Sequence, residues 1–80
     1  MGLAHRISIT ALDTLLTVYE WRLAHRFGDE LTLDRECAHI CYTLAFKYTI
    51  EGDEINARRY SAEGASYRVR ADDVLKRRHS

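Results

Sequence analysis

The chain contains no proline, and its strongest breaks are two copies of one pattern, Gly28-Asp29-Glu30-Leu31 and Gly52-Asp53-Glu54-Ile55. Glycine ends a helix because it enters the left-handed conformation at little steric cost. The acidic residue that follows accepts hydrogen bonds from the free amides that open the next helix. Almost everything between these points favours helix. The pattern therefore predicts an all-α fold, a three-helix antiparallel bundle with helices at about 10–27, 32–51 and 53–76, in a single domain over residues 1–80.

Composition narrows the function classes. A chain of 80 residues buries only about 60% of its unfolded surface, so association is a common source of added stability. Hydrophobic content of 46% with 30% charged residues argues against disorder. A formal net charge of zero removes the long-range field on which nonspecific nucleic-acid binders depend. No apolar run approaches the roughly 18 residues of a membrane span, and no secretory signal follows Met1. Met1-Gly2 lacks the Ser or Thr that myristoylation wants at position 6, where Arg6 stands. The expectation is a cytoplasmic protein with reduced thiols and no membrane partner.

Helical periodicity assigns the faces. In the first helix Thr10 is expected to cap, with Asp13 completing a capping box. Leu12, Leu15, Leu16, Tyr19, Leu23 and Phe27 then share a stripe that should face the core, while Val18, Trp21 and His25 fall away from it. Ile7-Ser8-Ile9 fits either an extended segment or the first turn. The second helix, starting at Thr32, is apolar nearly all round. Leu33, Cys37, Ile40, Cys41, Leu44, Ala45 and Tyr48 form one face, and Tyr42, Phe46 and Ile50 a second, with Arg35 and His39 beside it. Such a helix is expected to be buried on both sides. The third helix, capped by Asp53, carries a heptad series of Ala57, Tyr60, Gly64, Tyr67, Ala71 and Val74. Its small residues permit close backbone approach, making it a helix seam or a dimer interface.

From Cys41 to about Val69 the chain resembles one tetratricopeptide (TPR) repeat. Leu44-Ala45, Tyr48, Gly52-Asp53, Ala57 and Gly64 match the spacing of that repeat's packing residues. Cys41 stands where a Trp is usual, Ser61 where a large aromatic is usual, and Val69 where a proline often closes the repeat. The resemblance implies a TPR-like pair of antiparallel helices, and arrays of such pairs bind peptides or proteins.

Chemistry finds little footing. Cys37 and Cys41 share a helix face, but His39 lies on the other side, and zinc needs further ligands. Among apolar neighbours the thiols are expected to act as small core hydrophobes. No nucleophile motif and no phosphate-cradling glycine loop is present. The chain is thus expected to be no enzyme and to hold no cofactor or metal. Arg59, Arg70 and Arg77 align on the outer side of the third helix, near Ser66 and Arg78, as a candidate contact for phosphate or an acidic partner. Glu63 and Asp73 interrupt them, as on a solvated face. Gly64 as a helix-turn-helix turn would bury Arg59, Glu63, Arg70 and Asp73, so that reading fails.

Trp21, His39, Tyr42, Phe46 and Ile50 are the candidate partner-binding residues, because aromatic side chains are enriched at interface centres. Alternatively, other parts of the chain cover them. The functional expectation is a small non-catalytic protein-protein interaction module, an adaptor or structural subunit that self-associates as a homodimer. Two alternatives stand beside it: a phage-type inhibitor that occludes a host protein complex, and a nucleic-acid-associated factor using the arginines of the third helix.

Overall fold

Each helix in the computed structural model, which describes residues 8–79, begins on a short polar side chain. Helix α1 (Ile9–Ala24) opens on Ser8, whose Oγ accepts from the Ala11 amide at 3.1 Å. Helix α2 (Glu30–Ile50) opens on Asp29, whose carboxylate accepts the Thr32 amide at 3.0 Å and the Thr32 hydroxyl at 2.9 Å. Helix α3 (Glu54–His79) follows Asp53, which accepts from the Asn56 amide at 3.2 Å and its side chain at 2.7 Å. No strand occurs among the described residues. The fold is a three-helix bundle.

Two expected starts are corrected. Thr10 and Thr32 lie inside first turns, because Ser8 and Asp29 reach the orphan amides ahead of them. The Thr10 carbonyl accepts the Thr14 hydroxyl at 2.9 Å, and the Asp13 carboxylate accepts a tyrosine hydroxyl from α3. Ile9 is helical, and Ile7 lies outside the described residues.

The helix ends also differ from expectation. The first helix stops at Ala24, three residues before the expected end, because Arg26 turns left-handed at φ 57°. The Phe27 amide then donates to the Arg22 carbonyl at 2.8 Å and the Arg26 amide to the Leu23 carbonyl at 3.2 Å. This two-bond C-terminal motif normally places glycine where Arg26 stands. After α2 the same motif forms with Gly52 at φ 80°, through Asp53 amide to Tyr48 carbonyl at 2.9 Å and Gly52 amide to Thr49 carbonyl at 3.1 Å. The third helix runs past the expected 76 to His79, and Arg78 reaches Asp29 at 2.6 Å, tying the end of α3 to the start of α2.

Helix α2 packs against both neighbours, and the core is built around it. It contributes Leu33, Cys37, Ala38, Ile40, Cys41, Leu44 and Ala45, all buried. Leu12 and Leu16 enter from α1; Ala57, Tyr60, Ala71 and Val74 enter from α3. Tyr19 and Leu23 pack partly against this cluster, whereas Leu15 and Phe27 of the expected stripe are exposed. Tyr48 stacks on Tyr60 with ring centroids 5.6 Å apart. Two heptad-spaced tyrosines also fasten α3 to α1. Tyr60 donates to Asp13 at 3.0 Å and Tyr67 to Glu20 at 2.6 Å.

No helix among the described residues is long and apolar enough to cross a membrane.

Candidate interaction surfaces

The outward stripe of α2 carries His39, Tyr42, Phe46 and Ile50, all exposed. Phe46 retains 53% of its accessible surface and Ile50 64%, high values for large apolar side chains in so small a domain. Tyr42 sits lower, and its position follows from a glycine. A Cβ on Gly64 would lie 3.1 Å from the Tyr42 ring, so only glycine gives the ring its full depth between α2 and α3. Beside it is a shallow groove of about 380 Å³, bordered by Arg35, His39 and Tyr42 of α2 and by Arg68, Ala71 and Asp72 of α3. No α1 residue borders this groove.

Trp21 belongs to a separate aromatic group. Its ring stacks on Phe27 at 5.5 Å, tilted only 8°, and lies 4.4 Å from His25. The left-handed turn at Arg26 folds Phe27 back beside Trp21, and Arg22 Nε holds the Phe27 carbonyl at 3.2 Å. Phe27 is thereby 58% exposed instead of buried in the core. The helix ends before it, so the 3.6-residue periodicity no longer places it.

The heptad series of α3 lies within the chain. Ala57, Tyr60, Gly64 and Ala71 are buried and Tyr67 is half-buried. Burial, followed by the Asp13 hydrogen bond, pushes the Tyr60 hydroxyl up to about 12. Tyr67 is raised as well, by burial and then by Glu20.

The arginine row divides. Arg59 pairs with Glu63 at 3.6 Å along its own helix and covers the Tyr60 ring at 5.2 Å. Arg70 covers the Tyr67 ring at 5.6 Å and approaches Asp34 at 3.6 Å; Arg77 approaches Glu30 at 3.7 Å. Arg70 and Arg77 border a cleft of about 560 Å³ with Arg26, Glu30, Leu33 and Gly28, where the first turn meets α2 and α3. Arg59 lies eleven residues before Arg70, roughly 16 Å along the helix, and takes no part.

Asp34 was not among the expected site residues. Its side chain is fully buried, and neither carboxylate oxygen has a hydrogen-bond partner among the described residues. Burial raises its pKa, against the pull of Arg70. A signal was present in the sequence, since residues 34, 37, 41, 44 and 48 follow a three-four heptad spacing in which Asp34 alone is charged. By contrast, Asp29 is held down at about 2 by the Arg78 hydrogen bond and then by the Thr32 amide. Cys37 and Cys41 are free, buried thiols, which burial pushes up to about 11 and about 12. Such thiols carry almost no thiolate at neutral pH. Among the described residues no three His, Cys, Asp or Glu side chains gather as a metal site.

Compared with protein-family models, with curated proteins and with solved structures, the chain matches none.

Proposed function

We propose that the chain is a non-catalytic protein-interaction module that self-associates through the outward stripe of α2, with Tyr42, Phe46 and Ile50 at the contact and His39 on its rim. The observation that carries this reading is the exposure of Phe46 and Ile50 on the helix face that continues from Tyr42, which itself borders a groove lined by no α1 residue. Large apolar side chains grouped on one helix face of a small domain are the usual material of an interface core. At about 25 cal/mol per Å², pairing two copies of such a stripe removes the apolar surface that the bundle leaves in water. The resemblance of residues 41–69 to a TPR hairpin agrees in kind, because such hairpins work by packing against neighbours. Buried thiols with raised pKa values give no reactive nucleophile, which favours binding over chemistry.

Light scattering coupled to size exclusion, run over a range of concentrations, tests the proposal. The expected result is a concentration-dependent dimer that becomes monomeric in Phe46→Asp with unchanged helical circular dichroism. An unmodified protein that stays monomeric at the highest concentration overturns self-association.

A further inference from the structure

The groove beside Tyr42 and the second turn are opposite in charge and stand at opposite ends of one face. Arg35 of α2 and Arg68 of α3 border the groove from its two sides, with the buried Ala38 and Ala71 in its lining. Neither guanidinium has a hydrogen bond, ion pair or ring contact among the described residues. Asp72 is the single acid bordering the groove among those residues, so positive charge prevails there. At the far end the second turn carries Glu51, Asp53 and Glu54. Asp53 is occupied in capping α3. Glu54 meets Arg58 at 3.8 Å with both side chains largely exposed, which makes a weak pair. The Glu51 carboxylate has no partner among the described residues.

Two parallel rows connect these ends. Arg35, His39, Tyr42, Phe46 and Ile50 follow one face of α2; on α3, residues 54, 61, 65, 68 and 72 follow another at three- and four-residue multiples. The groove joins the rows at one end, Tyr42 against Gly64 joins them in the middle, and the turn joins them at the other. The groove centres at about Ala38 and the turn at about Gly52, so they lie roughly 20 Å apart along α2. Their midpoint falls between Tyr42 and Phe46.

Granting the self-association proposed above, on which this rests, we infer that two copies pair about a two-fold axis at that midpoint. Each copy seats its acidic second turn in the other's groove, with Glu51 and Glu54 against Arg35 and Arg68. The axis makes the contact reciprocal, so both grooves and both turns are used. Each α2 then runs antiparallel to its copy, and Tyr42 faces Phe46 of the second copy. A parallel pairing would instead set arginine against arginine and glutamate against glutamate, which costs binding. Ser61 and Ala65, small and exposed, stand at the middle of the α3 row and leave room for the crossing.

Two charge-reversed proteins test the pairing, Arg35→Glu with Arg68→Glu in the groove and Glu51→Arg with Glu54→Arg in the turn. Light scattering coupled to size exclusion is run on each, on their mixture and on the unmodified protein. Each variant alone should dimerise about tenfold more weakly, because its groove and turn now share one sign. Mixed in equal amounts, they should recover the unmodified affinity, since every groove again meets a turn of opposite sign. That recovery also shows both variants to be folded. Added salt should weaken the unmodified dimer. The milder Arg35→Gln and Glu51→Gln should each weaken it about threefold. No weakening in either overturns the pairing, even where a reversed variant fails to fold. A dimer indifferent to both reversals overturns the pairing and leaves self-association standing. Helical variants that weaken alone and do not recover on mixing overturn it as well. An unmodified protein that is monomeric at every concentration overturns both readings.

Discussion

The two turns share Gly-Asp-Glu, yet they are built differently. At the second turn Gly52 takes the left-handed position that ends α2, and Asp53 caps α3 at once. At the first turn Arg26 takes that position, and Gly28 comes two residues later with φ 116°. The first turn is thus longer, and the extra length exposes Phe27 and forms one wall of the arginine cleft. The aspartates do the same work in both places, because a cap needs only a carboxylate beside free amides. The glycines do not. One ends a helix, and the other lets the chain pass close to Arg22 and Leu33.

That difference predicts unequal substitutions. A Cβ on Gly28 would lie 3.3 Å from both Arg22 Nη2 and Leu33 Cδ1, at a φ that L residues rarely adopt. Gly28→Ala is expected to destabilise by about 2–3 kcal/mol, combining backbone strain with crowding of a core leucine. At Gly52 nothing lies within 4 Å of an added Cβ. Gly52→Ala carries only the left-handed penalty and should cost about 1 kcal/mol. Urea unfolding of the two variants measures both values, and equal losses would break the distinction between the turns.

The opposite change at the first turn has a smaller effect and the other sign. Arg26→Gly puts the usual residue at the left-handed position and removes one of three neighbouring positive charges. Glycine's greater freedom in the unfolded chain offsets part of the gain, leaving about 0.5 kcal/mol of added stability. For a domain of this size that is a rise of roughly 3 °C in Tm by thermal denaturation. A fall in Tm would mean that the Arg26 side chain stabilises the turn.

The same comparison shows why parts of the molecule were readable from sequence and parts were not. Three helices follow from the breaks, and the inward series of α3 follows from heptad spacing, because both depend on local geometry alone. The end of α1 does not. Gly28 is the obvious breaker, but hydrogen bonds from Phe27 and Arg26 close the helix before the chain reaches it. Trp21 and His39 could be placed off the core stripes by periodicity. The gathering of Arg26, Arg70 and Arg77 could not, since it depends on how a turn meets the far end of α3. Asp34 was legible in principle as a charge in an apolar register, a conflict that points to a functional or strained site.

The two caps sharpen the comparison at low pH. Asp29 accepts from the Thr32 amide and from Arg78, whereas Asp53 accepts from Asn56 and the Ile55 amide in the first turn of the helix it opens. Both carboxyls are depressed in the folded state, Asp29 to about 2. A group whose folded pKa lies below its unfolded value of about 3.9 adds stability above that value and loses it as pH falls through the folded one. The loss from Asp29 is therefore confined between about pH 4 and pH 2. It is the smallest effect expected here, because Asp29 and Arg78 are both solvent-exposed and water screens the pair. Acid unfolding of Asp29→Asn and Asp53→Asn separates the two. The Asp29 variant should lose more of the acid dependence, and added salt should narrow the difference by screening Arg78. Identical acid profiles would show that the caps alone set this response and that the tie from α3 to the first turn contributes nothing to it.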